Sequence, residues 1–443
     1  MKKVHFIGIG GIGMSALAQY YLAKGWQVSG SDLAESEMTE KLKKAGIEIS
    51  LGHRALNLLE KVDRVIYSAA VGEDNAEMEQ ARVLGCEIIS YAQALGELTR
   101  QYITLAVSGA HGKSTTTALL SLMLIKAELD PTVIIGTRLK EFEGNNFRLG
   151  RSRYLVIEAD EYNKSFLNFY PTIAVVTNID KEHLDTYGDL QGVIAAFAQY
   201  FKNIPSLGTL IVNGKDKNTE AAVGEWRGGG LSDVGCQMMR YGLKKNNWKM
   251  KIPGEFNQLN AEAAWQAAKI LGVAKPTAQK AVAGYSGSWR RMEELTPKRA
   301  ALRQVQGLRF FSDYAHHPTE IKATTMALKE KFPGKKLTVI FQPHQLKRLN
   351  NLFDDFVTAF DQCDRLILLP AYQVAGRETG GQKTAKDLFI TIKQRNQKNN
   401  CFYLQNFSRT IKLIKQFPNS VVVFMGAGDI DNEVRNYFKS KLF

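Results

Sequence analysis

The 443-residue sequence has little cysteine and no long apolar run. Its four cysteines stand far apart and form no C-x-x-C pair, so neither a disulfide framework nor a zinc knuckle is indicated. No segment approaches the roughly 20 consecutive apolar residues of a membrane span. The start of the chain lacks the apolar core and the cleavage site of a signal peptide. We therefore expect a soluble, cytoplasmic protein that does not bind membranes.

The chain also lacks a concentrated basic segment, although its net charge is strongly positive. The formal net charge is +14 and the isoelectric point is about 9.4. Lysine and arginine are scattered, and no basic run is interleaved with aromatic residues as in grooves that bind single-stranded nucleic acid. We therefore expect anionic small-molecule substrates and no nucleic acid. Separately, the protein is expected to be a monomer or a homodimer.

Short β-branched segments alternate with helical patterns in three successive series, which predicts parallel sheets flanked by helices. The series cover residues 1–100, 101–290 and 291–443, so the expected fold class is α/β with three domains. Between Gly224 and Lys251 the alternation gives way to a stretch rich in glycine, lysine and asparagine, which predicts a loop or a reduced β element. The expected buried strands are Val4–Ile7, Gln27–Ser29, Arg64–Ser68, Ile103–Val107, Tyr154–Ile157, Ile173–Thr177, Leu210–Asn213, Arg309–Ser312, Leu337–Phe341, Arg365–Leu369 and Val421–Phe424.

A first glycine-rich loop follows the first expected strand. It is followed by a helical segment, so its amides and the helix N-terminus could hold a diphosphate. Asp32 follows the second strand, where dinucleotide-binding folds place a carboxylate that binds ribose. Taken alone, this pattern favours an NAD-type domain, and a glycine turn without a ligand is the alternative. The loop glycines are Gly8, Gly10, Gly11 and Gly13.

A second glycine-rich loop, which we name the phosphate loop, joins the expected strand that ends at Val107 to a helix expected from about Thr115. Its glycines would let backbone amides approach a polyphosphate. Lys113 would add a point charge, and the Ser114 hydroxyl could bind Mg²⁺. The spacing is not that of a standard Walker A loop, because Val107 stands where its first glycine is expected. The loop consists of Gly109, Ala110, His111, Gly112, Lys113, Ser114 and Thr115.

Acidic residues and a histidine follow the next strands of the second series. Glu158 ends one expected strand, and His183 lies shortly after another. Because the carboxyl ends of parallel strands meet at one edge of a sheet, both are candidate metal ligands. Asp160 and Glu161 are equally typical of surface carboxylates.

An asparagine pair lies in an alanine-rich helical segment. Asn257 and Asn260 stand three residues apart, so in a helix they share a face and could present two amides to an adenine edge. Helix capping by one asparagine is the alternative.

The third series repeats a strand followed by a polar loop. Asp313, Tyr314 and His317 follow one strand, and His344 follows the next. The two loops predict a second ligand-binding wall, although each histidine is as typical of a structural role.

These motifs, in this order, resemble the Mur ligase family over nearly the whole chain. The stretches 8–15, 177–187, 341–344 and 425–430 are most similar to the alanine-adding member of the family. The motifs that carry the resemblance are the phosphate loop, Glu158 with His183, the paired asparagines, the Arg-Met-Glu at Arg291 and the Asp-Tyr-Ala-His-His-Pro from Asp313.

The resemblance implies a function for each domain. Residues 1–100 would form a Rossmann-like domain that binds a UDP-sugar, residues 101–290 a P-loop ATPase-like domain, and residues 291–443 a Rossmann-like amino-acid domain. The implied reaction is the ATP-dependent joining of L-alanine to the carboxylate of UDP-N-acetylmuramate through an acyl phosphate, as in peptidoglycan synthesis. ATP and two Mg²⁺ ions are the implied cofactors.

The resemblance also implies site residues, motif by motif. The catalytic set is Lys113, Glu158, His183, Arg291 and Asp313. Ser114, Glu158 and His183 would bind Mg²⁺. ATP would contact the phosphate loop together with Asn257, Asn260, Arg291 and Asp313. The UDP-sugar would contact Gly8, Gly10, Gly11, Gly13, Ser15, Asp32, Ser68 and Ala69. The amino acid would contact Tyr314, His317, His344 and Arg348.

Five positions depart from the family pattern. Ala110 stands where threonine is usual, and Phe256 where histidine is usual. The run Gln345-Leu346-Lys347 stands where the alanine-adding member carries arginine, tyrosine and serine. The loss of the arginine affects the expected contact to the amino-acid carboxylate. A murein-peptide ligase, or a Mur ligase that adds another amino acid, is therefore kept as the alternative. Two other classes remain: an NAD-dependent oxidoreductase, which would lack ATPase activity, and a non-catalytic protein, which would bind ATP without turnover.

Overall fold

A computed structural model describes residues 1–228, 236–244, 247–295, 307–372, 382–396 and 400–439. The chain forms two compact units, each described below by itself. The N-terminal unit consists of Met1–Lys249 and Gln258–Tyr285, and the C-terminal unit of Met250–Asn257 and Ser286–Phe443. In the described part of the chain, no helix is long and apolar enough to cross a membrane.

The first sheet of the N-terminal unit has five parallel strands. The strands are β1 (Lys3–Ile7), β2 (Gln27–Asp32), β3 (Glu48–Leu51), β4 (Arg64–Tyr67) and β5 (Glu87–Ser90), in the spatial order β3-β2-β1-β4-β5. The helices are α1 (Ile12–Ala23), α2 (Glu37–Lys44), α3 (Ala76–Val83) and α4 (Tyr91–Gln101), with a 3₁₀ turn at Ala55–Asn57. The central strand β1 is the most buried, with Val4–Ile7 all buried, because parallel sheets are covered on both faces.

The second sheet of this unit has seven strands, all parallel except the edge strand β8. They are β6 (Ile103–Ser108), β7 (Thr132–Leu139), β8 (Asn145–Arg148), β9 (Tyr154–Glu158), β10 (Ile173–Val176), β11 (Thr209–Asn213) and β12 (Gln237–Tyr241), in the order β12-β11-β10-β6-β9-β7-β8. The helices are α5 (Lys113–Lys126), α6 (Leu184–Tyr187), α7 (Leu190–Phe201), α8 (Lys217–Gly228), α9 (Glu255–Ile270) and α10 (Lys275–Gly284), with 3₁₀ segments at Lys140–Phe142 and Tyr162–Asn168. The first turn of α9, before Gln258, belongs to the C-terminal unit.

In the described part of the C-terminal unit, the sheet has six strands, and β13 alone among them is antiparallel to its neighbour. They are β13 (Glu293–Leu295), β14 (Arg309–Asp313), β15 (Lys336–Phe341), β16 (Arg365–Leu368), β17 (Cys401–Tyr403) and β18 (Ser420–Met425), in the order β13-β14-β18-β15-β16-β17. The helices are α11 (Pro318–Lys331), α12 (Leu346–Asn351), α13 (Phe353–Ala359), α14 (Ala385–Asn396), α15 (Phe407–Ile414) and α16 (Ile430–Lys439).

The predicted α/β architecture with three largely parallel sheets is confirmed. Two local predictions need correction. Helix α5 begins at Lys113 rather than near Thr115. The stretch after Gly224 begins as helix rather than loop, because α8 continues to Gly228. The short edge strand β12, which pairs with β11, agrees with the predicted reduced β element. The parts of this stretch at 229–235 and 245–246 lie outside the described residues.

Candidate functional site

The phosphate loop turns between β6 and α5 in a conformation that requires glycine. Gly109 and Gly112 have φ values of 127° and 84°, in the left-handed region. A β-carbon at Gly112 would also overlap Oδ1 of Asn260. The loop amide of His111 donates a 2.9 Å hydrogen bond to Oδ1 of Asn178, which follows β10. The loop is therefore fixed both by its own backbone and by the neighbouring strand.

Lys113, the first residue of α5, is paired with a buried carboxylate. Its Nζ lies 2.8 Å from Oε2 of Glu161 and 2.7 Å from the carbonyl oxygen of Gly109. Burial lowers the pKa of Lys113, but the charges of Glu161 and Asp160 outweigh burial and leave that pKa above its ordinary value. Burial raises the pKa of Glu161, and Lys113 only partly opposes this. Lys113 therefore keeps its positive charge at neutral pH.

Glu158 and Ser114 meet at the end of β9. The Ser114 hydroxyl donates to Oε1 of Glu158 at 3.0 Å, and the amide of Gly136 donates to Oε2 at 3.0 Å. A β-carbon at position 136 would lie 2.8 Å from Oε2 of Glu158, so glycine there leaves room for the carboxylate. Mg²⁺ prefers oxygen ligands of this kind, so the two residues fit one such ion.

His183 joins Asp160 and Glu161 in a second group of possible cation ligands. Their ligand atoms all lie within 4.8 Å of one another, and Nε2 of His183 is 3.6 Å from Oε1 of Glu161. The Asp160 side chain is 55% exposed, as a surface carboxylate would be, but that of Glu161 is only 1% exposed. The surface interpretation is therefore wrong for Glu161, which faces Lys113 and His183 instead of solvent.

The asparagine pair lies on one helix, as predicted. Asn260 is buried beside Gly112, which brings it to the phosphate loop. Asn257 is also buried, and its Nδ2 donates to the carbonyl oxygen of Pro253 at 2.6 Å. The contact of both amides with adenine stays a prediction.

The first glycine-rich loop is seated on the end of β2. The amides of Gly8 and Ile9 donate to the carbonyl oxygen of Ser31 at 2.9 and 3.0 Å. The amide of Gly10 donates to Oδ2 of Asp32 at 2.8 Å. Asp32 thus holds the shape of the loop, and its contact with ribose stays a prediction.

The other residues assigned to the UDP-sugar differ in position. Ser15 is fully buried in α1, where its hydroxyl donates to the carbonyl oxygen of Ile12 and accepts from Nδ2 of Asn146. Its side chain therefore packs α1 against β8 and does not line the loop surface. Ser68 lies next to Gly8, and Ala69 is exposed.

Asp313 is buried at the end of β14. Its Oδ2 accepts from the amide of Met292 at 2.7 Å, and its Oδ1 accepts from the amide of Ala315 at 2.8 Å. Burial raises the pKa of Asp313 to about 6, although the nearby charge of Arg291 opposes the rise. Nη1 of Arg291 lies 3.4 Å from Oε1 of Glu320. Asp313 therefore anchors the turn that follows Arg291.

Aromatic and histidine rings line the loops after β14 and β15. The Tyr314 ring centroid lies 5.1 Å from the Arg291 guanidinium and 5.1 Å from the His316 ring. The His344 ring is 6.2 Å from His316 and is stacked on Tyr372 at 5.7 Å. The rings of Tyr314 and His344 are therefore linked through His316, and Tyr372 extends the row; sequence reasoning did not assign His316 or Tyr372 to this region. The binding of a ligand by this wall stays a prediction.

The last residues of the predicted amino-acid site lie at helix starts. His317 is buried, and its Nδ1 accepts from the amide of Thr319 at 3.3 Å, so it caps α11. Gln345 precedes α12 with a φ of 65°. Arg348 lies half-buried on α12.

Three family domains match the chain in the order in which the sheets occur. They are the Mur ligase family catalytic domain over residues 3–103, the Mur ligase middle domain over 107–268, and the domain described as Mur ligase, glutamate ligase over 290–428.

The chain belongs to the Mur ligase family.

Curated relatives of this family match along almost their full length. The chain is 37% identical to the UDP-N-acetylmuramate-L-alanine ligase of Clostridium tetani, covering 97% of this chain and 96% of the relative. It is 35% identical to the enzyme of the same name from Hydrogenobaculum, covering 99% of both.

Solved structures of Mur ligases share the fold. The UDP-N-acetylmuramate-alanine ligase of Thermotoga maritima has a TM-score of 0.79 at 28% identity, covering 99% of this chain and 98% of that one. A murein peptide ligase from Psychrobacter arcticus has a TM-score of 0.72 at 23% identity, covering 98% of each chain, and at that identity it shows the fold alone.

Glu77 of the Mur ligase N-terminal unit is a buried residue that sequence reasoning missed. Its carboxylate contacts Nε2 of His5 at 2.9 Å and accepts from Oγ of Ser31 at 2.7 Å and Nδ2 of Asn57 at 2.6 Å. Burial raises the pKa of Glu77, but these hydrogen bonds outweigh burial and leave it below its ordinary value. The carbonyl oxygen of Ser31 also accepts hydrogen bonds from the first glycine loop. By binding the Ser31 hydroxyl, Glu77 therefore helps to fix the position of that loop. Its partners are distant in sequence, so no local pattern marks it.

Arg290 was also missed as part of the C-terminal wall. It is 6% exposed, and its guanidinium donates to the carbonyl oxygens of Gly426 and Gly428. It also lies 4.8 Å from the Tyr314 ring centroid. Arg290 therefore ties the turn after β18 to the loop after β14.

Proposed function

We propose that the chain catalyses the ATP-dependent joining of L-alanine to the carboxylate of UDP-N-acetylmuramate. One observation carries the proposal: a single compact unit holds two glycine loops at strand ends, one followed by a charged lysine and grouped carboxylates. An oxidoreductase would need only the first loop. The names of relatives that match over nearly the whole chain support the same substrates.

The chemistry follows from the weakness of a carboxylate as an electrophile. Lys113 would hold the β- and γ-phosphates of ATP while the γ-phosphoryl group passes to a carboxylate oxygen, giving ADP and an acyl phosphate. The alanine ammonium loses a proton, and its neutral amine attacks the acyl carbon. The tetrahedral intermediate then expels phosphate and leaves an amide. Positioning and charge neutralisation account for most of the acceleration of such a transfer.

The residues at the strand ends fit divalent cations. Ser114 and Glu158 would hold one Mg²⁺, and His183 with Asp160 and Glu161 would hold a second. Bound Mg²⁺ neutralises charge on the phosphoryl group during transfer. The number of ions is part of this proposal.

The C-terminal unit would supply the contacts to the amine substrate. Tyr314, His317 and His344 lie on loops at the carboxyl edge of its sheet, and Arg348 follows on α12. Because Gln345 replaces the usual arginine, we assign the alanine carboxylate to Arg348, whose guanidinium can bind it bidentately. We place Arg291 and Asp313 on the nucleotide side.

The test is a coupled assay with the purified chain, ATP, Mg²⁺ and UDP-N-acetylmuramate. L-alanine, L-serine, glycine and a murein tripeptide are supplied separately, and phosphate release is followed together with the mass of the nucleotide product. We expect phosphate release that depends on alanine and a product heavier by one alanyl residue. Turnover with the tripeptide alone would identify a murein-peptide ligase instead. No turnover with any amine would overturn the proposal.

A further inference from the structure

Tyr91 is the first residue of α4, and hydrogen bonds and packing both fix the position of this helix. The Ser90 hydroxyl accepts from the amide of Gln93 at 3.2 Å, and Oε1 of Gln93 accepts from the amide of Ser90 at 2.8 Å, which is a capping box. Further along α4, a β-carbon at Gly96 would overlap the carbonyl oxygen of Asn168. The helix is therefore packed against the segment that follows Glu161, and its first residue has a defined position.

The phenol of Tyr91 lies directly against the start of α1. A β-carbon at Gly13 would lie 2.6 Å from Oη and 2.7 Å from Cζ of Tyr91, so any larger residue at position 13 would force the Tyr91 ring to move. The N-terminus of α1 and the loop before it form the expected diphosphate site. A substrate held there would pass beside the Tyr91 hydroxyl.

The pKa of the same phenol depends on burial and on the carboxylates at or just after the end of β9. Burial raises the pKa of Tyr91, and the charges of Asp160 and Glu158 raise it further. The hydroxyl therefore keeps its proton at neutral pH and is available as a donor. Among the residues that the structure describes, none forms a hydrogen bond with it.

We propose that the Tyr91 hydroxyl donates a hydrogen bond to an oxygen of the N-acetylmuramoyl group and thereby positions the acceptor carboxylate. In the proposed reaction the acceptor would extend from the first glycine loop towards Glu158, and the Tyr91 phenol lies beside Gly13, at the beginning of that path. The sugar and lactyl oxygens of the N-acetylmuramoyl group can accept a hydrogen bond from a neutral donor such as a phenol. The inference rests on the proposed function, because it needs an acceptor that spans both sites.

The test variant is Tyr91→Phe, which removes the hydroxyl and keeps the ring against Gly13. We expect KM for UDP-N-acetylmuramate to rise about 5- to 10-fold, the usual effect of losing one neutral hydrogen bond. KM for ATP and for alanine should stay within about twofold of the wild type, as should the inhibition constant of UDP, which lacks the muramoyl group.

The matched control is Tyr102→Phe, at the other end of α4. The Tyr102 hydroxyl lies 3.2 Å from that of Tyr20, away from both glycine loops, so its loss should leave every kinetic constant unchanged. A wild-type KM for UDP-N-acetylmuramate in Tyr91→Phe would overturn the inference. An equal rise in the UDP inhibition constant would overturn it too, by assigning the hydroxyl to the diphosphate. An inactive wild type would instead defeat the proposed function.

Discussion

Lys113 carries the charge nearest the expected phosphates and is held in place by Glu161. We expect Lys113→Ala to lower alanine-dependent phosphate release by at least about 100-fold, because a preorganised charge at the transferring group is lost. Circular dichroism should show an intact fold. The control is Lys126→Ala, at the exposed end of the same helix α5, which should keep full activity. Equal activity in the two variants would show that Lys113 does not take part in phosphoryl transfer.

Asp313 makes the stability of the chain depend on pH in a defined direction. Because its pKa in the folded protein is raised to about 6, the folded state binds its proton more tightly than the unfolded state. The contribution of Asp313 to the free energy of unfolding is therefore largest at low pH and falls as pH rises from about 4 to about 6, by up to about 3 kcal/mol.

Urea unfolding of the wild type and of Asp313→Asn between pH 4 and pH 7 measures this effect. The difference in unfolding free energy between the two should shift in favour of the variant as pH rises, because asparagine stays neutral. Parallel pH curves would contradict the raised pKa.

Residue positions could be predicted from the sequence where a motif ends a strand. Lys113, Glu158 and His183 follow buried strands, so the carboxyl edge of a parallel sheet was expected to bring them to one region. The pairing of Lys113 with Glu161 had no such signal, because burial of one carboxylate among several depends on the three-dimensional path of the chain. Tyr91 was missed for the same reason, since its relation to Gly13 arises only from packing.

At the scale of elements, the turn from β6 to α5 depends on glycine for two reasons. Gly112→Ala would place a side chain at a φ of 84° and against Asn260. We expect ATP affinity to fall at least about 10-fold, since strained backbone and displaced loop amides each cost on the order of 1 kcal/mol. Calorimetric titration with ATP and Mg²⁺ measures the loss.

Gly224→Ala is the matched control, because it makes the same substitution at a position where we expect no loss of ATP affinity. Position 224 lies within α8, and no atom lies within 4 Å of where the β-carbon would be. Alanine there should leave ATP affinity unchanged and stabilise the protein by roughly 0.5–1 kcal/mol. If both alanines weakened ATP binding equally, the effect could not be assigned to the phosphate loop.

Among the strands, the central ones could be predicted and several short edge strands could not. Strands β6 and β18 are mostly apolar and almost fully buried, because helices cover both faces of a parallel sheet. Strands β3, β5 and β12 have few fully buried positions, so their patterns resemble loops. Pairing with a neighbour, rather than composition, gives these segments their structure.

For the molecule as a whole, the proposed sites divide between the two units. The glycine loops and the cation ligands belong to the N-terminal unit, and the wall of Tyr314 and His344 belongs to the C-terminal unit. Hydrogen exchange should therefore show that UDP-N-acetylmuramate alone protects amides of residues 8–15 and leaves those of residues 313–317 unchanged, because a ligand stabilises the state it binds. Protection of residues 313–317 alone would contradict the assignment.

The interleaving of the two units along the chain has a consequence for synthesis on the ribosome. Residues 250–257, which belong to the C-terminal unit, emerge before Gln258–Tyr285, which complete the N-terminal unit. Those later residues include α10, which packs on α5, and Asn260, which lies beside Gly112. Domains tend to fold as units while the chain grows. A nascent chain that stops before Gln258 should therefore already contain both glycine loops and still be unable to hold ATP.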